Sequence, residues 1–307
     1  MVKHYSNFNI EKKHKGSIIL IGNFDGLHIG HQKLFNLAQS YKKKYNLSIG
    51  VINFNPMPKM FFNKNLKNFR LSNIDQKIRL LTNLKVDFVI TKKFDYKFSK
   101  IKSIKFIREI LNKKLNPKFI FVSNNFRFGN KREGNVNLLI KNERIYNYKV
   151  IKPRPLIKNK KIVSSSLIRN LLESGFLKKA NKLLNRNWEI QGVVRKGRQV
   201  GKKIGFPTCN IDIQDYVLAK PGVYAVRILR KNNTKYLRGI ANLGYRPTFN
   251  QKKILLEVHL FNFSGNLYNK LLSVEFLKFI RKEKKFKNVN QLRDQIKTDL
   301  NIAKKTK

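Results

Sequence analysis

Residues 1–186 alternate short apolar runs with amphipathic stretches. Residues 17–22 form an apolar run typical of a buried strand, and residues 30–45 place apolar side chains at helical spacing. The same alternation predicts further strands at 48–54, 86–90 and 118–122, and helices at 74–84 and 103–114. This rhythm predicts an α/β domain whose parallel sheet carries helices on both faces.

The hydrophobic period changes near Trp188. Before it, residues 164–185 predict two helices broken at Gly175, and the serines at their start suit a helix N-cap. After it, short alternating runs are separated by turn residues, which predicts an antiparallel barrel. Residues 288–303 predict a C-terminal amphipathic helix. We therefore expect two domains, residues 1–186 and residues 187–307. The predicted turns of the barrel lie at Gly197, Gly201, Pro221-Gly222, Asn232-Asn233 and Ser264-Gly265.

The charge is high but evenly spread. The 307 residues carry 67 Lys and Arg against 17 Asp and Glu, a formal net charge of +50. Residues 1–186 hold 41 basic and 9 acidic side chains, and residues 187–307 hold 26 and 8. A specific nucleic-acid binder more often concentrates its charge in an arm, a tail or one helix. Composition bias therefore accounts for the charge better than a nucleic-acid partner, and loose association with anions is a further alternative.

The remaining composition excludes several classes of protein. Hydrophobic residues make up 41% of the chain, enough for a packed core in each domain. The single cysteine, Cys209, excludes a disulfide scaffold and a cysteine-based zinc site. No apolar run approaches the roughly 20 residues that span a bilayer, and no secretory signal is visible. We expect a cytoplasmic protein that does not associate with membranes.

The first segment with recognisable chemistry is GNFDGLHIGH, residues 22–31, which leaves the first strand and opens the first helix. In an open α/β sheet this position is the ligand crevice. Glycines let the backbone approach phosphates, and histidines can donate hydrogen bonds to phosphate oxygens as charge develops in nucleotidyl transfer. The candidate phosphate-binding residues are Gly22, Asp25, Gly30, His28 and His31.

The HIGH sequence is also typical of class I aminoacyl-tRNA synthetases. Two features count against that alternative, because no KMSKS-like loop and no helical anticodon domain follow. The other alternative is that the two histidines are ordinary residues at a helix start.

Two further segments of the first domain follow predicted strands or open a helix. VSSSLIR begins at Val163, and serine hydroxyls with free N–H groups at a helix start form an anion site, which an arginine one turn later can clamp. NNFRFG begins at Asn124 and joins aromatic faces to an arginine after the strand at 118–122. The candidate residues are Ser164, Ser165, Ser166, Arg169, Asn125, Phe126, Arg127 and Phe128.

The second domain has its own candidate site. GFPTCN, residues 205–210, follows a glycine-rich basic loop at 196–203, a combination that suits polyphosphate. The Thr208 hydroxyl and the Asn210 carbonyl are hard oxygen ligands that suit Mg²⁺. Glu257, on a predicted strand, can serve as a general base towards a hydroxyl, although a surface charge is the plainer alternative. Cys209 fits a small core residue better than a nucleophile.

Together these segments resemble the bifunctional bacterial riboflavin kinase/FAD synthetase family. The resemblance covers nearly the whole chain. It implies a Rossmann-like nucleotidyltransferase domain that adenylylates FMN to FAD with release of pyrophosphate, and a β-barrel kinase domain that phosphorylates riboflavin to FMN. It also implies ATP as co-substrate and Mg²⁺ as cofactor. The segments that carry the resemblance are GNFDGLHIGHQ, FRFG, VSSSLIR, GFPTCN, KPGVYAV, GIANLGYRPTF, LLEVHLFNFSGNLYNK and VEFLKFIRKEKKF.

The resemblance also implies roles for individual residues. His28 and His31 match the family's phosphate-binding pair, and Glu257 matches the base that deprotonates the ribityl 5′-hydroxyl. Ser164, Ser165 and Arg169 match the ISSTxxR motif, with Ser166 in place of threonine. Thr208 and Asn210 match the metal and phosphate residues of the PTAN motif, next to Gly205, and residues 125–128 match the flavin-binding segment.

The departures from the family pattern lie in the first domain. Asn125 stands where the family usually has an acid, and residues 54–58, FNPMP, stand where it usually has FDPHP. Asn55 and Asn125 therefore remove negative charge near the expected pockets. A monofunctional kinase with a drifted first domain is the alternative that these positions leave open. The expected partners are small-molecule substrates, without a specific nucleic acid or a membrane, and an oligomer is possible.

Overall fold

The structure is a computed structural model that describes residues 2–197, 201, 204–213, 215–231, 233–248 and 251–306. The chain divides into two compact units. The first comprises Met1–Lys67 and Ile74–Ser164, and the second comprises Asn68–Asn73 and Ser165–Lys307.

The first unit is built on a six-stranded parallel sheet. The strands are β1 (Lys3–Tyr5), β2 (Ile18–Ile21), β3 (Ile49–Asn55), β4 (Phe88–Lys93), β5 (Phe119–Phe121) and β8 (Lys149–Ile151). They lie in the order β1-β4-β3-β2-β5-β8, and neighbouring strands run parallel. From the central strand β2 the chain moves first to one side of the sheet and later to the other.

Alternate residues of a strand point to opposite faces of the sheet, and both faces are apolar here. Helices cover both faces and bury them. Ile18 and Leu20 belong to one apolar cluster and Ile19 and Ile21 to another, and all four are buried. The helices of this unit are α1 (Ile29–Tyr45), α2 (Pro58–Phe62), α3 (Ile74–Asn83), α4 (Tyr96–Ser99), α5 (Ser103–Lys105) continuing into a π-helical Phe106–Leu115, α6 (Val136–Lys141) and α7 (Glu143–Tyr146). Two small ribbons complete it, β6 (Arg127–Phe128) with β7 (Gly134–Asn135), and β9 (Ile157–Lys158) with β10 (Lys161–Ile162).

The second unit is a closed antiparallel barrel of six strands in the order β11-β12-β15-β14-β13-β16. Two helices, α8 (Ser165–Glu173) and α9 (Leu177–Leu184), precede it and share its apolar core, and Trp188 joins that core. The strands are β11 (Glu189–Arg195), β12 (Cys209–Asp212), β13 (Gly222–Arg230), β14 (Leu237–Thr248), β15 (Gln251–Leu260) and β16 (Leu271–Arg281).

The C-terminal helix α10 (Val289–Lys305) covers part of the outer barrel wall. Val223, Ala225 and Ile240 on the wall form an apolar cluster with Ala303 of this helix. The Arg238 guanidinium donates to the carbonyls of Ala303 and Lys304 in the last helical turn. The helix is therefore held to the barrel by both apolar packing and a capping arginine.

The two predicted architectures and the sequence-predicted elements are confirmed with small shifts in their ends. The helices predicted at 164–185 pack in the compact unit of the barrel, whereas the sequence places them before the boundary at 186. The functional boundary at 186 stays a prediction. Within the predicted loop at 196–203, residues 198–200 and 202–203 lie outside the described residues, and so does Asn232 of one predicted turn.

Candidate active sites in the two units

The topology of the first unit places two of the predicted segments at its switch point. GNFDGLHIGH follows β2, and NNFRFG follows β5, the strand that pairs with β2 on the side opposite β3. The carboxyl ends of parallel strands meet at one edge of a sheet, and ligands bind where the strand order reverses. The structure therefore brings the two segments to one edge of the sheet.

The turn that carries the histidines is tightly anchored. Phe24 and Leu27 adopt left-handed φ angles of 46° and 38°, and both side chains are buried in the core beneath α1. Such a backbone costs free energy for residues other than glycine, and the burial of the two side chains offsets that cost. Asp25 is 3% exposed in the same turn. The turn is thus a rigid frame for the residues that follow it.

His28 and His31 form a stacked pair at the start of α1. Their ring centroids lie 3.7 Å apart with 19° between the planes. His28 is the N-cap, since its Nδ1 accepts a hydrogen bond from the His31 backbone N–H at 3.4 Å. That acceptor role assigns the ring proton of neutral His28 to Nε2, which is then a donor. The pair therefore offers N–H donors at a helix N-terminus, the arrangement that suits phosphate oxygens.

The surroundings of His31 favour its neutral form. Burial, followed by the charges of His28 and Lys77, lowers the pKa of His31 well below its usual value. Its Nδ1 is buried and has no hydrogen-bond partner among the described residues. The Phe24 ring packs edge-on against it, with centroids 5.3 Å apart. The His31 Nδ1 can therefore form a hydrogen bond with a bound ligand.

Gly30 allows the second predicted motif to approach the histidines. A Cβ at Gly30 would lie 3.1 Å from the His28 ring and 3.4 Å from the Val163 carbonyl oxygen. Val163 directly precedes Ser164, so the start of VSSSLIR lies beside the histidine pair within the first unit. Gly22 also packs against an aromatic ring, since a Cβ at this position would lie 3.0 Å from the ring of Phe24.

The rest of that motif belongs to the second unit. Ser165 and Ser166 open α8, and Ser166 is exposed. Arg169 is 7% exposed; its Nε donates to the Phe69 carbonyl at 2.6 Å, and its guanidinium lies 3.6 Å from the centroid of the Phe69 ring. The arginine predicted to clamp phosphate is thus oriented by Phe69.

An aromatic cavity of about 540 Å³ lies beyond β5 in the first unit. Phe126 and Phe128 stack with centroids 5.5 Å apart and 16° between planes, and both line this cavity. Stacked aromatic faces suit a flat aromatic ligand. Asn23, in the turn after β2, also lines it, and its buried Oδ1 has no partner among the described residues. The other phenylalanines of the lining are Phe54, Phe62, Phe94, Phe98 and Phe106.

The charged side chains around this cavity are cationic. Lys59, Arg127, Lys131 and Arg132 line it, and no carboxylate does among the residues described. This charge suits a ligand that carries a phosphate. Asn125 is not part of the lining and instead accepts a hydrogen bond from the Ser123 hydroxyl at 2.9 Å. Sequence reasoning placed residues 54–58 near the expected pockets but missed the contribution of residues 59–62 and 94–98, although their density of phenylalanine was a usable signal.

In the second unit, a polar row crosses three strands of the barrel. Glu257 on β15 is paired with Asn210 on β12 and with Asn242 on β14, so the three side chains share one face. Their sequence neighbours Val258 and Ala241 point into the barrel core. The polar row therefore lies on the outer wall, where it lines a cavity of about 320 Å³ together with Leu292 and Ile296 of the C-terminal helix.

The predicted metal ligands lie in this cavity. Thr208 and Asn210 both line it, and the buried Asn210 Oδ1 has no partner among the described residues. Gly197 lies directly beside Asn210, and a Cβ there would displace the Asn210 amide. An oxygen pair of this kind fits Mg²⁺. The described residues contain no cluster of three or more His, Cys, Asp or Glu side chains that could hold a metal.

Cys209 lies on the opposite face of β12 from this row. Its side chain packs against the barrel core, and burial raises the pKa of the thiol to about 11. The thiol therefore stays protonated, as expected of a small core residue rather than a nucleophile.

A buried ion pair fixes the cavity wall. Asp299 of α10 is 1% exposed and accepts from Arg281 at 2.7 to 3.0 Å through both carboxylate oxygens. Gln295 donates to the same carboxylate at 3.0 Å. Sequence reasoning missed this pair, because Arg281 and Asp299 lie on different elements and show no shared spacing.

Two family models cover nearly all of the chain. The FAD synthetase model matches residues 10–167, and the riboflavin kinase model matches residues 184–307. Among relatives, the bifunctional riboflavin kinase/FMN adenylyltransferase of Buchnera aphidicola (subsp. Schizaphis graminum) is 42% identical over 97% of this chain and 96% of its own. The chain belongs to this bifunctional family. The riboflavin kinase/FMN adenylyltransferases of Haemophilus influenzae and Escherichia coli K12 are 37% and 36% identical over 96% and 93% of this chain, and over 96% and 91% of their own lengths.

The fold of this chain is also found in a solved structure. A crystal structure described as a macrolide-efflux protein from Streptococcus pneumoniae matches with a TM-score of 0.87 and 27% identity, covering 100% of this chain and 99% of that one.

In the described part of this chain, no helix has the length and apolar character needed to cross a bilayer.

Membership of the family establishes both activities. The chain phosphorylates riboflavin to FMN and adenylylates FMN to FAD, with ATP as co-substrate of both reactions. The match of the FAD synthetase model to the first domain counts against the monofunctional alternative. The resemblance stated from the sequence motifs is confirmed.

Proposed function

We propose that the outer wall of the barrel is the riboflavin kinase site and that Glu257 is its general base. Glu257 lies in the polar row of the cavity, between Asn210 and Asn242. In the proposed step, the ribityl 5′-oxygen attacks the γ-phosphorus of ATP, the bond from that phosphorus to ADP breaks, and Glu257 takes the hydroxyl proton. A base in this position compensates for the poor nucleophilicity of a primary hydroxyl at neutral pH.

The nucleotide side of this site is assigned to the turn before β12. Thr208 and Asn210 would hold Mg²⁺, and Gly205 gives the backbone access to phosphate. When bound, the ion reduces charge repulsion between the phosphates. The buried Asn210 Oδ1 without a partner among the described residues supports this assignment.

The adenylyltransferase site is proposed at the crevice of the first unit. His28 and His31 would donate to ATP phosphates, with Gly22, Asp25 and Gly30 shaping the turn that carries them. In this step a phosphate oxygen of FMN attacks the α-phosphorus of ATP, and pyrophosphate leaves. Donors aimed at the transferring phosphate stabilise the charge that develops there. The stacked histidine pair at a helix N-terminus is the observation that carries this proposal.

The second anion site is proposed at VSSSLIR. Ser164, Ser165 and Ser166 would supply hydroxyls, and Arg169 a guanidinium, to the polyphosphate. The closeness of Val163 to Gly30 supports placing the start of the motif beside the histidines.

The flavin is assigned to the aromatic cavity. Phe126 and Phe128 would stack on the isoalloxazine, and Arg127 would face the FMN phosphate, an assignment supported by the cationic lining. Asn125 lies one residue before this stack and is proposed to affect it from outside the lining. The absence of an acid from the described lining favours FMN, which is anionic, over uncharged riboflavin at this site.

We further propose that residues 1–186 form the adenylyltransferase domain and residues 187–307 the kinase domain. The protein would act in the cytoplasm without a nucleic-acid or membrane partner, and an oligomer is compatible with this function. Incubation of the purified protein with riboflavin, ATP and Mg²⁺, followed by chromatographic separation of FMN and FAD, tests the two steps. Accumulation of FMN without FAD over a long incubation would contradict the assignment of the first domain.

A further inference from the structure

His259 is tied to the turn that carries the proposed metal ligands. Its Nδ1 lies 2.8 Å from the Pro207 carbonyl oxygen. Because a carbonyl can only accept, Nδ1 carries the proton and donates this bond. Pro207 has no N–H, so its carbonyl is the only backbone group through which a hydrogen bond can hold it.

The strand register explains why His259 reaches this turn. Asn210 is paired with Glu257, and Cys209 with Val258, in the antiparallel ladder of β12 and β15. Continued by one residue, that register sets Thr208 opposite His259. Glu257 and His259 are two residues apart, so they share the face that lines the cavity.

Aromatic neighbours fix the orientation of the His259 ring. The Phe206 ring lies edge-on to it with centroids 5.8 Å apart and 86° between planes, and the Phe261 centroid lies 6.3 Å away. These neighbours and the bond to Pro207 together restrict the rotation of the ring. A planar peptide joins the Pro207 carbonyl to the Cα of Thr208, so fixing one fixes the other.

We propose that His259 is a positioning residue for phosphoryl transfer, which holds the Pro207–Thr208 peptide so that the Thr208 and Asn210 oxygens face the Mg·ATP of the kinase site. The inference rests on the proposed function of Thr208 and Asn210. It assigns the histidine no role in proton transfer, because Glu257 is the group placed to take the hydroxyl proton. Groups that orient the ligands of a metal contribute about 10- to 100-fold to affinity or activity.

The test compares two replacements of this histidine. In His259→Asn the amide N–H stands near the position of Nδ1–H and can still donate to Pro207, whereas His259→Phe keeps the aromatic contacts but has no donor. We expect His259→Phe to raise the KM for Mg·ATP and the Mg²⁺ concentration at half-maximal rate by about 10-fold or more. The KM for riboflavin should change less than 3-fold, and His259→Asn should recover most of the loss.

Two controls distinguish an unfolded variant, a wrong metal site and a wrong positioning role from one another. Conversion of supplied FMN to FAD by each variant reports an intact protein, because that reaction belongs to the other domain. If Thr208→Ala leaves Mg·ATP use unchanged, the proposed metal site itself is wrong. If Thr208→Ala impairs Mg·ATP use but His259→Phe does not, the positioning role alone is overturned.

A further outcome would also contradict the positioning role. If His259→Asn lowers kcat as strongly as His259→Phe and abolishes the acid limb of the pH–rate profile, the histidine is a proton acceptor in the reaction. A positioning residue predicts that the pH profile keeps its shape in both variants.

Discussion

Replacement of Glu257 by glutamine is the perturbation that separates binding from chemistry in the kinase site. Glutamine preserves the size of the side chain and its hydrogen-bonding capacity towards the cavity, but it cannot accept a proton from the ribityl hydroxyl. Turnover of riboflavin should therefore fall, while riboflavin binding should be largely preserved. A positioned base contributes about 10²–10⁴-fold in rate.

The structure argues for the upper part of that range. Apart from Glu257, the carboxylates that line the cavity in the described residues are Glu283 and Asp299. Asp299 is engaged by Arg281 and Gln295, and Glu283 accepts a long hydrogen bond of 3.4 Å from Asn242. Among the described residues, both of these carboxylates are therefore already engaged by other side chains. A loss of about 10³–10⁴-fold corresponds to about 4 to 5.5 kcal/mol of activation free energy at 1.36 kcal/mol per factor of ten.

The assay measures FMN formed from riboflavin, ATP and Mg²⁺ at saturating substrate, with riboflavin binding followed by quenching of its fluorescence. Conversion of supplied FMN to FAD by the same Glu257→Gln preparation is the internal control for folding. Phosphorylation at the wild-type rate would show that Glu257 is only a charge on the barrel wall, and the base would have to be sought elsewhere.

Three further predictions concern other residues. Replacing His28 and His31 together by alanine should abolish FAD formation and leave FMN formation unchanged, and FAD at the wild-type rate in the chromatographic assay would refute the phosphate-binding role. The pKa of His31 in the folded protein lies below its unfolded value near 6.5, so the unfolded chain takes up the proton first as the pH falls. The contribution of His31 to the free energy of unfolding is therefore fully present above pH 6.5 and is lost progressively below it. The melting temperature of His31→Asn should therefore fall less between pH 7.5 and 5.5 than that of the wild type; equal falls would show that His31 does not titrate on unfolding. Asp299→Ala should lower the free energy of unfolding by about 3 kcal/mol in urea denaturation, because it leaves the Arg281 side chain, which is only 15% exposed, without its carboxylate partner. Asp294→Ala breaks an exposed ion pair with Lys297 at 3.7 Å and should lower the free energy of unfolding by less than about 1 kcal/mol. Equal losses in Asp299→Ala and Asp294→Ala would contradict the reasoning.

The sequence predicted most elements because their periodicities are strong. The helix predicted at 30–45 is observed at Ile29–Tyr45, and the helix predicted at 288–303 is observed at Val289–Lys305. Strand Lys3–Tyr5 escaped prediction, since three largely exposed residues give no alternation to detect. The π-helical turn at Phe106–Leu115 was predicted only as a helix, because an apolar stripe does not distinguish a bond to the fourth residue from a bond to the fifth.

The candidate sites were predictable where the chemistry lies in contiguous motifs. His28 and His31 are three residues apart at one helix start, and Thr208 and Asn210 are two residues apart at the start of β12, so local spacing was enough to group them. Contacts between distant segments were not predictable. The bond from His259 to Pro207 spans 52 residues and depends on the barrel register, which no local pattern encodes.

The central claim is that two separate sites act in sequence through FMN. Mixing Glu257→Gln with the His28→Ala/His31→Ala protein, in the presence of riboflavin, ATP and Mg²⁺, tests it most directly. Neither variant alone should make FAD from riboflavin at more than a small fraction of the wild-type rate, while the mixture should make it, because FMN released by one protein is the substrate of the other. Failure of the mixture to form FAD, when each variant retains its own single step, would contradict the account.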